Sequence, residues 1–320
     1  MAGAVSGEIL EDATKAYAGA RDTAYVAVAG YVLVVSDYLH TLPDEISLMW
    51  PVPFGIPKAL FFFLRYWIIA HNIFNMIYNV PLGRSPEACK VAWFMSGISS
   101  PSLVVAAEAI LCYRVYAFSG KSRGVLIYLL TQFTVIHVVA TALLVMFLQS
   151  VKFRTFPDIP VSFPCIPHAR SALMGAVFSC LLTSVVTTMC IMMYLGYVKH
   201  RRILDTGIIK VFYRDGVWYF VCLSALATTN IFITFFASEE YRFLFTQAEI
   251  DVHAILATRM LLHLRVWAAK STLEGGRSSI EVIQMDHHRA VNISFDDEFP
   301  PAKRNPVSPT FPRELKQTSW

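Results

Sequence analysis

Residues 124–149 read GVLIYLLTQFTVIHVVATALLVMFLQ, and this stretch contains no Asp, Glu, Lys or Arg. A helix of about twenty apolar residues spans the ~30 Å hydrocarbon core of a bilayer, so the stretch predicts a transmembrane helix. Of the 320 residues in the chain, 55% are hydrophobic and 16% are charged, and the mean hydropathy is +0.50. This composition excludes an ordinary soluble protein and indicates a multi-pass membrane protein.

Further apolar blocks lie on both sides of this stretch. They cover residues 23–39, 58–80, 91–118, 171–198, 212–237 and 245–267. Together the blocks predict an all-α fold, a bundle of seven transmembrane helices that occupies residues 23–269. The first block is short and the last contains Glu249, Asp251 and Arg259, so a count of six or eight helices is the alternative.

The two ends of the chain differ from the apolar blocks. Residues 1–22 are acidic and lack a basic segment followed by an apolar one, so we predict an extracellular segment here and no signal peptide. Residues 270–320 are rich in Ser, Pro and charges of both signs. Such a segment buries too little apolar surface to offset the entropy lost on ordering, and we predict a disordered cytoplasmic tail.

Basic residues near the apolar blocks predict the orientation, because cytoplasmic flanks of membrane helices contain more Lys and Arg. The distribution favours an extracellular N-terminus and a cytoplasmic C-terminus, although the flanks of the first block alone favour the reverse. The loop after the fifth block contains Lys199, Arg201 and Arg202. One interpretation is that these charges follow the general excess of Lys and Arg in cytoplasmic loops. The other is that they contact anionic lipid or a cytoplasmic signalling protein.

Two of the six cysteines lie outside the predicted helices. Cys89 precedes the third helix and Cys165 lies between the fourth and fifth, so both fall on the same side of the membrane. An oxidising outer compartment permits a disulfide there, and we predict the Cys89–Cys165 bridge, with two unpaired thiols as the alternative. The other four cysteines fit a packing role inside helices.

Charged residues inside membrane helices predict a functional site, because they are costly in lipid and face the bundle interior. At 1.5 Å per residue, Arg65, Glu108 and Arg259 lie in one layer, roughly 10 to 14 Å from the cytoplasmic face. We predict that Glu108 pairs with Arg65 or Arg259, and that Arg214 and Asp215 complete this polar network. The alternative role is an ion pair that only locks the bundle.

The third helix contains Pro101, which we predict to kink it near the middle of the membrane. Serines around the proline are placed to hydrogen-bond the carbonyl that the kink frees. A kink at this depth would open a small pocket toward the outside, and this pocket is a hypothesis for a binding site.

Motifs for catalysis give little support to an enzyme. Residues 120–124 spell G-x-S-x-G, but they lie in a turn between two membrane helices, whereas that motif needs a strand before it and a helix after it. Histidines are scattered over several helices without the H-E-x-x-H pattern of a zinc hydrolase. We therefore predict no catalytic residue, cofactor or metal. The net charge of +4 is spread over loops and tail and gives no support to a nucleic-acid partner.

Several short segments resemble a large group of multi-pass membrane proteins from mushroom-forming fungi, whose N-terminal signature is known only as a domain of unknown function. The segments that carry the resemblance are Asp37-Tyr38, Thr41-Leu42, Glu45, Trp50, Arg65-Tyr66, Glu108-Ala109-Ile110-Leu111, Arg114-Val115-Tyr116-Ala117, Arg214-Asp215-Gly216, Tyr219-Phe220, Arg259 and Leu264-Arg265. The resemblance implies a seven-helix, receptor-like architecture without an assigned ligand or activity.

The leading functional hypothesis is a non-enzymatic sensor in the plasma membrane. Its outer half would bind a small or lipidic ligand, and its inner loops would contact a cytoplasmic signalling protein. The alternative is a secondary transporter that uses the layer of Arg65, Glu108 and Arg259. The odd number of helices and the absence of inverted halves in the sequence disfavour this alternative.

Overall fold

A computed structural model describes residues 7–79, 86–153, 167–168, 171–202, 207–266 and 269 of the chain. These residues form seven long helices: α1 Gly7–Leu48, α2 Ile56–Asn79, α3 Pro86–Phe118, α4 Arg123–Ser150, α5 Ser171–Arg202, α6 Gly207–Phe236 and α7 at 246–266. A short antiparallel pair joins β1 Lys152–Phe153 to β2 Pro167–His168, and a 3-10 turn covers Glu239–Tyr241. Residues 1–264 form one compact unit.

Helices α1 to α6 are long and apolar enough to cross a membrane, as expected for an integral membrane protein. The predicted all-α class is therefore confirmed, together with six candidate membrane spans. Helix α7 forms where it was predicted, but it carries Glu249, Asp251, Arg259 and Arg265 and is not one of these six. Its crossing of the membrane and the orientation of the bundle stay predictions, and the predicted tail 270–320 lies outside the described residues.

Helix α1 differs most from the prediction. The sequence places a short helix at 23–39 after a separate segment 1–22, whereas α1 runs without interruption from Gly7 to Leu48 over 42 residues. At 1.5 Å per residue it is about 60 Å long, roughly twice the hydrocarbon thickness. Its first turns are held at the protein surface, where Tyr241 donates a hydrogen bond to Asp22 over 3.2 Å. This hydrogen bond raises the pKa of the Tyr241 hydroxyl.

Side-chain contacts show how the helices run. On α1 and α2, Tyr31 contacts Asn75 and Asp37 contacts Arg65, so these two helices are antiparallel. On α1 and α7, Gly30 lies against Asp251 and Asp37 contacts Arg259, so these two helices run in the same direction. We call the end of the bundle where α1 and α7 begin the N-terminal face, and the other end the C-terminal face.

The main apolar core lies among α2, α3, α5, α6 and α7. Its largest fully buried side chains include Phe61, Leu103, Met192, Phe220 and Met260. A second, smaller apolar cluster near the N-terminal face joins α4 and α5, with the following buried members: Phe147, Leu148, Met174 and Phe178. The residues of α7 are buried or half-buried as far as Leu262, and the exposed residues His263 and Val266 lie in its last turn.

Candidate functional site

Arg65 on α2 forms the centre of a buried polar network that we call the arginine cluster. Its Nε donates to Glu45 Oε2 over 3.0 Å, and its Nη1 donates to Asp37 Oδ2 over 2.9 Å. Its Nη2 donates to the Tyr38 carbonyl over 2.9 Å and to Thr41 Oγ1 over 2.5 Å. The arginine is 4% exposed, and hydrogen bonds to ionised partners of this kind are among the strongest in proteins. The charge of Arg65 is therefore fully engaged by α1.

Aromatic side chains complete the arginine cluster. Tyr66 and Trp50 both donate hydrogen bonds to Glu45 Oε1, over 2.8 and 3.2 Å. The guanidinium of Arg65 lies 4.7 Å from the centre of the Tyr38 ring, a cation–π contact. Glu45 is completely buried, and both of its oxygens accept hydrogen bonds. Donors from α2 and from the segment after α1 therefore satisfy both oxygens of this buried carboxylate.

Arg259 connects α7 to the same cluster. Its Nε contacts Oδ1 of Asp37, the carboxylate whose other oxygen binds Arg65. The cluster therefore contains two acids, Asp37 and Glu45, and two arginines, and its formal charges cancel. The Arg259 side chain is 43% exposed, whereas Asp37 is 5% exposed. Asp37 thus fixes three helices, α1, α2 and α7, to one another.

The predicted partner of the two arginines is wrong. Glu108 contacts neither Arg65 nor Arg259, and it accepts a hydrogen bond from Ser184 on α5 over 2.5 Å. Its Oε2 also lies 3.7 Å from Nε2 of His137 on α4. The layer predicted from helix positions is therefore two separate sites, because α1 supplies closer acids for both arginines.

The remaining predicted site residues are only partly described. The side chains of Arg214 and Asp215, and those of Lys199, Arg201 and Arg202 after the fifth span, lie outside the described part of the structure. Cys89 is in a disulfide. Its predicted partner Cys165 also lies outside the described residues, so the pairing stays a prediction.

A second polar cluster, which the sequence analysis missed, surrounds Gln247 near the N-terminal face. Its Nε2 donates to Asn72 Oδ1 over 2.9 Å and to Asp251 Oδ1 over 3.1 Å. Its Oε1 accepts a hydrogen bond from Asn75 over 2.5 Å and lies 3.1 Å from His71 Nε2. We call this group the glutamine cluster. It binds α7 to α2 through amide and imidazole groups that are all buried or half-buried.

Helix α1 closes the glutamine cluster from one side. Tyr31 donates to Asn75 Oδ1 over 2.9 Å, which extends the hydrogen bonds to a third helix. Gly30 lies directly against the carboxylate of Asp251, so that a Cβ at position 30 would overlap Asp251 Oδ2. A glycine is needed here because the backbone of α1 approaches the acidic side chain of α7 so closely.

Both clusters were detectable in principle from spacing. On α1, Asp37, Thr41 and Glu45 are four residues apart and share one helical face. On α2, His71, Asn75 and Asn79 have the same spacing. The α1 pattern was missed because the first helix was predicted to end at residue 39.

Two adjoining cavities lie in the half of the bundle toward the N-terminal face. The inner cavity has a volume of about 70 Å³, and residues from α3, α4, α5 and α7 line it. The outer cavity has a volume of about 110 Å³ and reaches Thr23, Asn79 and Trp93. The following residues line both: Ser100, Leu144, Met174, Thr246 and Ile250. Pro101 lines the inner cavity, where the sequence places a pocket beside the predicted kink.

The polar residues that line the inner cavity are the following: Ser100, His137, Thr141, Thr246, Glu249 and His253. Glu249 Oε2 accepts a hydrogen bond from Asn230 of α6 over 2.5 Å. The rest of the wall is almost entirely apolar. Within the described residues, no group of three His, Cys, Asp or Glu side chains is arranged to hold a metal ion. The chemistry available at the wall is hydrogen bonding and charge pairing.

One segment of the chain matches a known protein family. No curated protein matches the chain. Residues 25–70 match a family of unknown function, DUF6533. The matched segment contains Asp37, Glu45 and Arg65, and of the arginine cluster only Arg259 lies beyond it. The chain therefore carries a DUF6533 domain of unknown function, and this domain supplies the buried ionic contact between α1 and α2.

Proposed function

We propose that the protein is a receptor-like membrane sensor that binds a small or lipidic ligand in the adjoining cavities and responds through α7. The observation that supports this proposal is the placement of α7. Thr246, Glu249 and His253 line the inner cavity, and Arg259 on the same helix contacts Asp37. His253 and Arg259 are six residues apart, about 9 Å along the helix axis.

This arrangement gives a ligand a way to change the C-terminal face. A ligand that displaces α7 at the cavity would alter the contact of Arg259 with Asp37, because one rigid helix carries both sites. Arg259 is the half-exposed member of the arginine cluster, so its contact is the cheapest one to break. The bundle would then have two arrangements whose populations depend on the ligand.

The proposal includes the orientation and the partners predicted from the sequence. The N-terminal face would be extracellular, the plasma membrane would be the location, and the surrounding lipid would contact the exposed apolar side chains. A cytoplasmic signalling protein would bind the C-terminal face, near the basic residues Lys199, Arg201 and Arg202, which belong to the end of α5 and not to a loop as predicted. We also infer that the resemblance to seven-helix proteins of fungi extends beyond the matched segment.

A transporter built on Arg65, Glu108 and Arg259 has less support. Four hydrogen bonds to α1 engage Arg65, which leaves no free charge to bind a permeant anion. Glu108 is bonded to Ser184 on the other side of the bundle. The geometry therefore gives the three residues no common substrate site.

The experiment that tests the sensor is co-purification of partners from the cells that naturally produce the protein. The wild type is purified in mild detergent with and without a non-hydrolysable guanine nucleotide, and the bound proteins are identified by mass spectrometry. We expect a cytoplasmic signalling protein to be retained, and nucleotide-sensitive retention would identify a G protein.

A matched variant connects the partner to the cavity. Ala140 is buried and lines the inner cavity, and Ala140→Phe fills that space without adding charge. We expect this variant to change the amount of retained partner at least several-fold. An equally large substitution outside the cavity, Val138→Phe on the exposed side of α4, should leave it unchanged. A folded wild type without any cytoplasmic partner would contradict the proposal.

A further inference from the structure

Four titratable side chains from three helices meet at the inner cavity, and we call them the acid–imidazole cluster. Glu108 comes from α3, His137 from α4, and Glu249 and His253 from α7. They are between 2% and 9% exposed, and all except Glu108 line the cavity. Glu108 Oε2 lies 3.7 Å from His137 Nε2, and His137, Glu249 and His253 line the same cavity, so the four side chains form one group.

Three buried atoms of the acid–imidazole cluster have no hydrogen-bond partner: Glu108 Oε1, His137 Nε2 and His253 Nε2. Buried polar groups are nearly always paired, and leaving one unpaired costs about 1 to 3 kcal/mol. The separation of 3.7 Å between Glu108 Oε2 and His137 Nε2 is too long for a hydrogen bond between them. His137 and His253 line the cavity, so their unpaired Nε2 atoms are available to a molecule bound there.

The unpaired nitrogen of His137 is an acceptor. Nδ1 of His137 lies 2.8 Å from the carbonyl oxygen of Phe133, which can only accept, so Nδ1 carries the proton. A neutral imidazole then has a lone pair at Nε2. Ser184 already donates to Glu108 and Asn230 donates to Glu249, whereas the hydroxyl of Thr246 on the same wall has no partner. Two unpaired imidazole nitrogens, Nε2 of His137 and of His253, thus share the cavity wall with this one unpaired buried hydroxyl.

The cluster also lacks a cation. Within the described residues, neither Glu108 nor Glu249 forms a salt bridge with Arg or Lys, in contrast to Asp37 and Glu45. Two neighbouring buried carboxyl groups cannot both be ionised without a compensating positive charge. They become neutral by binding protons or are compensated by a bound cation.

We propose that the inner cavity is a binding site for a small organic ammonium ion on an apolar body. Its N–H groups donate to Glu249 and to the unpaired acceptors of the acid–imidazole cluster, and its hydrocarbon part lies along the apolar wall. This inference rests on the proposed function, since it names the ligand class of the same cavity. A cavity of about 150 Å³ can hold benzene, so the two adjoining spaces suit a short alkyl chain.

The test uses the full chain in lipid nanodiscs at neutral pH, with hexylamine and 1-hexanol as matched probes. An alkylamine is protonated at this pH, because its pKa is close to the value of about 10.4 for lysine. The unfolding temperature is followed by tryptophan fluorescence as each probe is titrated. We expect hexylamine to raise it in a saturable way, as a ligand that binds only the folded state does, and 1-hexanol to have little effect.

The Glu249→Gln variant removes the charge and keeps an acceptor for Asn230. We expect it to raise the half-saturating concentration of hexylamine about tenfold or more, because a buried charge pair is lost. Glu108→Gln provides a second test in the same direction. The control is Glu11→Gln on the exposed surface of α1. This variant should respond to hexylamine as the wild type does.

Three results would overturn the ammonium site. One is an equal shift with 1-hexanol, another is an undiminished shift in both Gln variants, and the third is the absence of any shift with hexylamine. If 1-hexanol stabilises the wild type but not Ala140→Phe, the cavity binds small apolar molecules, and the proposed function keeps its support even though the ammonium site is wrong. If neither probe stabilises the protein, the ammonium site and the proposed function both lose their support.

Discussion

Helices α4 and α7 show opposite relations between polarity and burial. Helix α4 is one of the two most apolar spans, yet only 17% of its apolar window is buried. Helix α7 carries four charged residues, and side chains along most of its length are buried, including Gln247, Asp251 and His253. In a water-soluble protein, the more apolar of two helices would be the more buried one. Lipid solvates apolar side chains well and polar ones poorly, so polar groups gather in the protein interior.

The comparison also explains what holds the bundle together. The hydrophobic effect gives little preference between lipid and an apolar protein interior, so packing and interhelical hydrogen bonds determine which helices meet. Helix α7 binds α1 through Arg259 and Asp37, and binds α2 through the glutamine cluster. Helix α4 binds its neighbours mainly by packing, as where Leu148 fills the space left by Gly97.

The largest loss in the free energy of unfolding is expected from removing the buried cation Arg65. Arg65→Met leaves Asp37 and Glu45 buried beside only one half-exposed arginine. Breaking a buried ion pair on one side costs about 3 to 5 kcal/mol, and we expect a loss of that size in the free energy of unfolding. Denaturant titration in detergent measures it, with Lys121→Met in the loop before α4 as a control. A change below about 1 kcal/mol would show that α1 and α2 do not depend on the arginine cluster.

A slightly smaller effect is expected from placing a charge on the lipid-facing side of α4. Val138 is 63% exposed, and Val138→Asp would put a carboxylate into the hydrocarbon. Insertion of a charge at the centre of a membrane helix costs about 2.5 to 3.5 kcal/mol. We expect a matching loss of inserted protein in a glycosylation-based insertion assay, with Val138→Leu unchanged. Normal insertion and stability of the Asp variant would mean that protein, and not lipid, covers this face of α4.

The same substitution on the two helices compares them directly. Gln247→Leu removes the centre of the glutamine cluster and leaves groups of α2 unpaired, which should cost about 1 to 3 kcal/mol. Gln132→Leu on α4 removes one side-chain hydrogen bond, over 3.3 Å to the Ser184 carbonyl, and should cost less than about 1 kcal/mol. Unfolding midpoints of both variants are measured under one condition. Equal losses would contradict the central role of α7.

The smallest loss in the free energy of unfolding is expected from changing Arg259, the half-exposed arginine that connects α7 to Asp37. Arg259→Gln removes a half-exposed charge, while Arg65 still compensates Asp37. We expect a loss of about 1 kcal/mol or less in the free energy of unfolding. Thermal unfolding measures the loss, and limited proteolysis near the C-terminal face detects whether the end of α7 has become more accessible. A loss as large as that of Arg65→Met would show that Arg259 is an essential part of the buried network.

The fold was largely predictable because membrane helices are determined by composition over about twenty residues. The observed bounds of α2 and α4 differ from the predicted ones by at most two residues at each end. Helix α1 was predicted too short because its first turns are polar and contact the turn at Tyr241 instead of lipid. Its last turns were missed because Asp37 and Glu45 read as the end of a membrane span when their partner Arg65 is unknown.

The candidate site was predictable only as a set of residue types. The sequence identified Arg65, Glu108 and Arg259 as costly intramembrane charges, and all three are ordered in polar clusters. It assigned Glu108 as the shared partner because depth along a helix axis was the only coordinate available. Depth places residues in one layer, but the rotation of each helix decides which side chains meet. That rotation is set by packing between helices, so the sequence of a single helix does not predict it directly.

The sequence by itself determined that the chain forms apolar helices suited to a membrane, because a helix of about twenty apolar residues matches the thickness of the hydrocarbon core. It also determined which charged residues must have partners, since an isolated charge in lipid is too costly to persist. Only the tertiary structure decided that Asp37 joins Arg65 to Arg259, that Glu108 contacts Ser184 and that Glu249 lines the inner cavity. The reason is that pairing depends on the rotation and approach of neighbouring helices, which small residues such as Gly30 permit at specific points.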